Sequence, residues 1–260
     1  MDPSNSNSIF INQLAIEPQD AATVVLSLKQ KEFNIAIDLY KSNPIYSVFG
    51  NFVSVTNISL QVYLLWVVLR FPIGIVWQMV ALVVSFFLAD FINGLVHLFM
   101  DQNDDYVSIV GPLVANFHLH HKIPKYKNNI LPIVYFNESG SKIWLVGYLL
   151  SISIFSSSIN HVVLHILVYI GILSSVAEVS HYLCHSSNST LTNFLSKIGI
   201  LLPKSHHAKH HVNDNMNYAF LNGLADPLIN VIAKTFYKSG YKHTTDLHYI
   251  YYSNGHPDQR

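Results

Sequence analysis

The chain has 260 residues, of which 50% are hydrophobic and 12% charged, and its mean hydropathy is +0.30. An average soluble domain carries about 25% charged residues, and here Lys+Arg and Asp+Glu balance at 15 each with Cys184 the single cysteine, so disorder, nucleic-acid binding through a basic surface and a disulfide framework are excluded. The unusual count is histidine, at 15 as frequent as lysine and arginine together; a hydrophobic chain with that content points to a membrane protein that holds metal.

The opening residues MDPSNSNS lack a basic n-region followed by an apolar h-region, so no cleavable signal peptide is expected. Glu17 to Ser42 reads as an amphipathic helix, with Ala22, Val25, Leu28, Phe33, Ile37 and Tyr40 near helical spacing, either on the protein surface or on a membrane interface. Residues 1–47 thus form an N-terminal soluble or interfacial segment, 48–235 a membrane domain and 236–260 a C-terminal tail.

Four apolar stretches follow: Val48 to Leu69, Ile73 to Met100, Ile143 to Ile159 and Val162 to Ser180. Each is near the ~20 residues that cross a bilayer, the serine-rich third being the shortest. Tyr218 to Ala233, interrupted by Gly223 and Asp226-Pro227, reads as a buried or interfacial segment. The expected fold is all-α and polytopic, with about four transmembrane helices. Tight turns at Arg70-Phe71-Pro72 and near Asn160-His161 belong on one side of the membrane. The N-terminus, the 101–142 loop and the chain after His181 belong on the other, with 14 of the 15 Lys and Arg residues. Positive residues stay inside, so that second side is the cytoplasm.

The histidines follow this topology. His97, His118, His120, His121, His181, His185, His206, His207, His210 and His211 fall at the cytoplasmic ends of the spans or beyond, whereas His161 and His165 fall at the opposite end. His165 and His181 are about 24 Å apart on one helix, which excludes His161 and His165 from the same site. His97 and Asp101, His181 and His185, His206 and His210, and His207 and His211 stand four apart, so each pair projects from one helix face. Adjacent doublets such as His120-His121 point in different directions and can serve two metals. Asp90 and Glu178 share the faces of His97 and His181, placed either to bridge metals or to orient an imidazole. Imidazole and carboxylate donors suit Zn, Fe, Ni and Cu, and nine or more exceed one four-coordinate zinc. Two metals in a cytoplasmic histidine-rich site are expected, and di-iron activation of oxygen fits the donor set best. A histidine-rich metal transporter is the competing class; it should carry polar residues at mid-membrane on both sides of its site. Haem needs only two axial histidines.

The stretches ADFINGLVHLFMD (89–101), FHLHHKIP (117–124), SHYLCH (180–185) and LLPKSHHAKHHV (201–212), in that order, resemble the Kua/CarF plasmanylethanolamine desaturases. They are also similar to the plant plastid desaturase that acts on phosphatidylglycerol. The resemblance spans about residues 75–235. It implies a membrane di-iron lipid desaturase using O₂ and two electrons from a b5-type cytochrome or ferredoxin, acting on a phospholipid alkyl or acyl chain. Hydroxylation by the same centre is its nearest alternative. It also implies a multi-pass location in the endoplasmic reticulum of a eukaryote or the inner membrane of a bacterium. Carried over position by position, His97, Asp101, His120, His121, His181, His185, His206, His207, His210 and His211 would be the iron ligands or their immediate partners. The family does not reserve His118 for histidine. Asp226 sits near an Asn of relatives, in a segment that could cap the site. The chain departs from the ether-lipid branch at Leu98 and after Asp101, where it reads Gln-Asn-Asp-Asp-Tyr. Lys122, Lys125, Lys127 and Lys204 are placed to meet a phosphate, although the positive-inside rule alone accounts for them. Phe86, Phe87, Phe91 and Phe99 are candidates to line the hydrocarbon chain but fit helix packing better, and Cys184 reads as a packing residue.

Overall fold

A computed structural model describes residues 18–122, 129–213, 215–236, 252–253 and 256–257. Its helices are α1 (Pro18–Ser42), α2 (Ile45–Leu69), α3 (Ile75–Gln102), α4 (Gly111–Lys122), α5 (Leu131–Ser139), α6 (Ile143–Phe155), α7 (His161–Ser186), α8 (Thr190–Lys197), α9 (Lys204–Val212) and α10 (Asp226–Phe236). Among the described residues the only strands are Tyr252–Ser253 and His256–Pro257, paired antiparallel. The fold is all-α, as expected.

Among the described residues three helices, α2, α3 and α7, are long and apolar enough to cross a membrane. Along α3 the residues Ala81, Ser85, Ala89 and Asn93 recur every fourth position and are fully buried. Small side chains let two helices approach closely, and α7 fills the space: Ser85 Oγ donates to the Ile166 carbonyl at 2.9 Å and Asn93 Nδ2 to Ser174 Oγ at 3.0 Å. Continued by two more steps of four, this stripe reaches His97 and Asp101, both buried. The face that packs the helices together therefore becomes, at its end, the face that carries ligands.

The third apolar stretch departs from expectation. Helix α6 has 13 residues, about 20 Å, which is short of the ~30 Å of hydrocarbon. It ends in a 3-10 turn at Ser156–Ser158, where consecutive serines compete for backbone carbonyls; Ser156 Oγ donates to Ser153 O at 3.0 Å. Helix α5 precedes it across a break at residues 140–142. Carbonyls freed by such a break need partners inside protein, and Asn57 of α2 supplies them by donating to Ser139 O and Lys142 O, each at 3.1 Å.

The two expected tight turns lie at the same end of the bundle, because His161 at the start of α7 stacks on Phe71 after α2 at 4.5 Å. Helix α1 docks Phe33, Ala36 and Ile37 against Val114 and Ala115 of α4 and against Tyr106. That stripe is covered by protein, while Leu28 stays exposed. The stretch beginning at Tyr218 is a buried loop leading into α10, not a crossing. It can lie on α3 because residue 94 is glycine: a Cβ there would meet Ile229 Cδ1 at 2.3 Å and the Ala219 backbone at 3.2 Å.

Candidate metal centre

Four helices deliver donors to one end of the bundle. The first group contains His120 from α4, His181 and His185 from α7, and His207 and His211 from α9. The second contains His97 and Asp101 from α3, His121 from α4 and His210 from α9. Within each group the donor atoms lie within 4.8 Å of one another. The doublets His120-His121 and His210-His211 are divided between the groups, as side chains pointing from different helix faces must be. The groups adjoin: the His121 and His211 rings are 5.2 Å apart, centre to centre.

In the five-imidazole group the Nε2 atoms face one another. His181 and His207 approach to 2.8 Å, His120 and His181 to 3.1 Å, His120 and His185 to 3.2 Å, His181 and His185 to 3.2 Å, and His207 and His211 to 3.0 Å. A neutral imidazole nitrogen offers one hydrogen or one lone pair, so five converging nitrogens cannot satisfy each other by hydrogen bonds alone. Nitrogens bound at about 2.1 Å to one ion and at right angles lie about 3.0 Å apart, which these separations match. In the second group, the Nε2 atoms of His97 and His121 lie 3.6 and 3.2 Å from Asp101 Oδ1, and His210 Nε2 lies 3.5 Å from Asp101 Oδ2. His210 Nε2 is buried without a hydrogen-bond acceptor or donor. Both donor sets fit a metal ion.

Backbone carbonyls fix the ring tautomers. His97 Nδ1 donates to Tyr218 O at 2.8 Å, His210 Nδ1 to Met216 O at 2.8 Å and His211 Nδ1 to His121 O at 3.2 Å. A carbonyl can only accept, so each Nδ1 carries the proton and each Nε2 turns a lone pair toward its group. Burial holds His120, His207 and His210 well below the usual imidazole value of 6.5, and the neighbouring rings push them the same way. Burial also lowers His211. These rings are therefore neutral, the form that binds metal.

Nine of the ten residues expected as ligands or their immediate partners fall in these two groups, and the tenth does not. His206 stands outside both groups because its Nε2 bonds Asp226 Oδ2 at 2.5 Å. Burial raises the Asp226 carboxyl, opposed by this bond. His118 also stands apart, with Nδ1 receiving the Tyr106 hydroxyl at 2.8 Å and Nε2 donating to Met100 O at 3.0 Å. Asp90 reaches neither group and bonds backbone amides of the 221–225 segment instead. Glu178 Oε1 pairs with Lys142 Nζ at 2.9 Å, and its Oε2 lies 3.9 Å from His181 Nδ1, too far for a hydrogen bond. Lys142 also donates to Asn93 Oδ1 at 2.5 Å. Cys184 packs in the apolar cluster with Ala89, Leu202 and Leu221. Phe87 and Phe99 face outward, whereas Phe86 and Phe91 pack inward. Lys125 and Lys127 lie outside the described residues, as does the side chain of Lys122; Lys204 Nζ donates to Asn188 Oδ1 at 2.5 Å.

Sequence reasoning missed Lys142, Phe220 and the orienting carbonyls. Lys142 and Glu178 were each a lone charge beside an apolar run, and pairing them was the available signal. Phe220 packs on His97 at 5.5 Å and His181 at 5.6 Å, walling both groups with one ring. No local pattern marks a carbonyl that will meet a ring 121 residues away.

Comparison with known proteins gives a match between residues 86–239, more than half of the chain, and the family model described as the lipid desaturase domain. No curated protein and no solved structure matches the chain.

Proposed function

The chain belongs to the lipid desaturase family, and on that premise we propose that it is a di-iron membrane enzyme that introduces a double bond into a phospholipid alkyl or acyl chain. The substrate favoured by the order of the histidine stretches is a plasmanylethanolamine, which would yield a vinyl ether. The single observation carrying the reading is the pair of adjoining donor groups, five imidazoles in one and three imidazoles with a carboxylate in the other. Carboxylate and imidazole donors suit iron, and two adjoining sites suit two ions acting together. The overall chemistry balances as R–CH₂–CH₂–R′ + O₂ + 2 e⁻ + 2 H⁺ → R–CH=CH–R′ + 2 H₂O. The electrons come from a b5-type cytochrome or a ferredoxin.

When bound, the two irons supply the activation of O₂ that removes hydrogen from an unactivated C–H bond. His120, His181, His185, His207 and His211 would hold one, and His97, Asp101, His121 and His210 the other. The chain's own residues then orient and shield. Carbonyl-bound Nδ1–H groups keep three rings aimed inward. The fully buried Asp101 and His210 exclude water from the second group, and Phe220 and Phe117 present apolar surface beside His97. A lipid entering sideways from the bilayer would bring its chain to that wall. The lysine and arginine excess on the histidine side favours a cytoplasmic site, with α5 and α6 together forming a broken fourth crossing. Donors gathered at one end of the helices do not favour a transport pathway.

The test is expression in cells lacking vinyl-ether lipids, with plasmalogens and fatty-acid double bonds measured by mass spectrometry, beside His207→Ala. New double bonds are expected with the wild type only, and hydroxylated lipid instead would assign the alternative outcome of the same hydrogen removal. Identical lipid profiles for wild type, variant and empty vector would remove the catalytic claim on these lipids. Metal analysis of the purified chain should give about two irons; one zinc and no iron would overturn the di-iron reading.

A further inference from the structure

We infer that Asp90 is a positioning residue: from inside α3 it clamps the 216–226 loop, and that loop's carbonyls orient His97 and His210 in the carboxylate-containing group. Asp90 precedes His97 by seven residues, about 10 Å along the helix, so it is not itself a ligand of that group. Its carboxylate is fully buried. Oδ1 accepts from the backbone N–H of Leu221 at 3.1 Å, Asn222 at 3.1 Å and Gly223 at 3.4 Å, and Oδ2 accepts from Ala225 at 3.0 Å. Four amides wrapped on one carboxylate form a concave cradle for negative charge, here filled by a side chain of the same protein. A charged acceptor makes such bonds stronger than neutral ones.

The clamp matters because of what the loop carries. Just upstream of the clamped amides, Met216 O receives His210 Nδ1 and Tyr218 O receives His97 Nδ1, each at 2.8 Å. Phe220, one residue from the clamp, packs edge-on against His97. The other fastenings agree. Ser180 Oγ donates to Leu221 O at 2.6 Å and accepts from Leu202 N at 2.9 Å, and Asp226 Oδ1 accepts from Ala219 N at 2.8 Å. Gly223 gives the loop its turn, with φ at +84° in the left-handed region. Toward the five-imidazole group the loop presents the Phe220 ring, 5.6 Å from His181, but among the described residues it makes no hydrogen bond to a ring nitrogen there; His211 is oriented by the His121 carbonyl of α4. A fault in the clamp should therefore disable one group and spare the other.

This rests on the reading that each group holds one iron. The test uses the full chain in detergent, loaded with ferrous iron, and measures iron per chain, the spectrum of the bound iron, and amide exchange of the metal-free protein. Asp90→Asn removes the negative charge and replaces one of the two acceptor oxygens with an NH₂ donor, so at least one clamped amide is left facing a donor. It should keep about one iron of two, change a coupled-pair spectrum to that of an isolated ion, and speed exchange in 216–226 by about tenfold or more. Asp101→Asn, as reference, should lose the same iron without the exchange change. Retention of two irons with an unchanged spectrum in Asp90→Asn overturns the inference, and so does loss of both irons, which would mean a general structural role. Should the wild type itself hold fewer than two irons, the di-iron reading fails separately. Exchange then judges the clamp: acceleration confined to 216–226 upholds it and unchanged exchange sinks it. If Asp90→Asn does not fold, Gly223→Ala strains the same loop at its positive φ and is held to the same outcomes.

Discussion

The two donor groups share two helices, α4 and α9, and differ in what else holds them. The five-imidazole group stands on helix spacing: His181 and His185, and His207 and His211, are neighbours one turn apart on α7 and α9. Beneath it lies the Lys142–Glu178 pair, Lys142 buried and Glu178 largely so, with Glu178 3.9 Å from His181. The carboxylate-containing group has one such pair, His97 and Asp101 on α3, and depends for its ring orientations on carbonyls of a loop. Local helical geometry pairs four of the first group's five donors, whereas the second takes two of its ring orientations from a distant segment once that has docked. The first is also an uncharged cage and the second carries a negative charge, which is how one fold presents two unequal sites to a pair of ions.

The sharpest way to break this contrast is to remove one ligand from each group. His207→Ala should empty the five-imidazole group and Asp101→Asn the other, each leaving about one iron by metal analysis. Each should cut desaturation by more than the roughly 10–100-fold carried by outer partners of a metal. If either variant loses both ions, the groups are not separate sites. The support beneath the first group gives the next effect. Lys142→Met leaves Glu178 buried without its cation and should cost about 3–5 kcal/mol in thermal or denaturant unfolding. The double variant Lys142→Met/Glu178→Gln should recover most of that loss, and no recovery would show that the pair is not coupled.

Acid should act on both groups through their neutral rings. His120, His207, His210 and His211 have folded-state values below 6.5 because burial disfavours their charge. Below 6.5 the unfolded chain binds protons that the folded chain refuses, so stability rises with pH there. The metal-free protein should hold its full stability above pH 6.5 and lose it on acidification toward the folded values. The slope is up to about 1.4 kcal/mol per pH unit for each such histidine. A melting temperature flat from pH 7.5 to 5 would contradict this. The smallest effect is expected at His206→Ala, which removes the bond to Asp226 and should cost about 1–3 kcal/mol with both irons retained. Loss of an iron would return His206 to a ligand role.

Much of this was legible beforehand, and the reason is periodicity. Residues four apart on a helix share a face, so His97 with Asp101, His181 with His185 and His207 with His211 could be paired from spacing alone. The same rule gives His206 an equally good spacing to His210, yet its ring lies outside both groups. Spacing says which residues share a face but not what that face meets, and here Asp226 of α10 claims the ring. The short α6 shows the same limit, since hydropathy runs on through Ile159 while the serines end the helix at Phe155.

Sequence by itself determined an apolar helical chain with its histidines gathered at one end, because helix periodicity and hydropathy are local properties. Only the tertiary structure decided how the donors divide into two groups, which ring is surrendered to Asp226, and that Asp90 faces backbone amides rather than metal. Those choices depend on contacts between different helices and loops, from 20 positions apart for His206 and Asp226 to more than a hundred for His97 and Asp90, and on a loop that reaches α3 only where Gly94 leaves room.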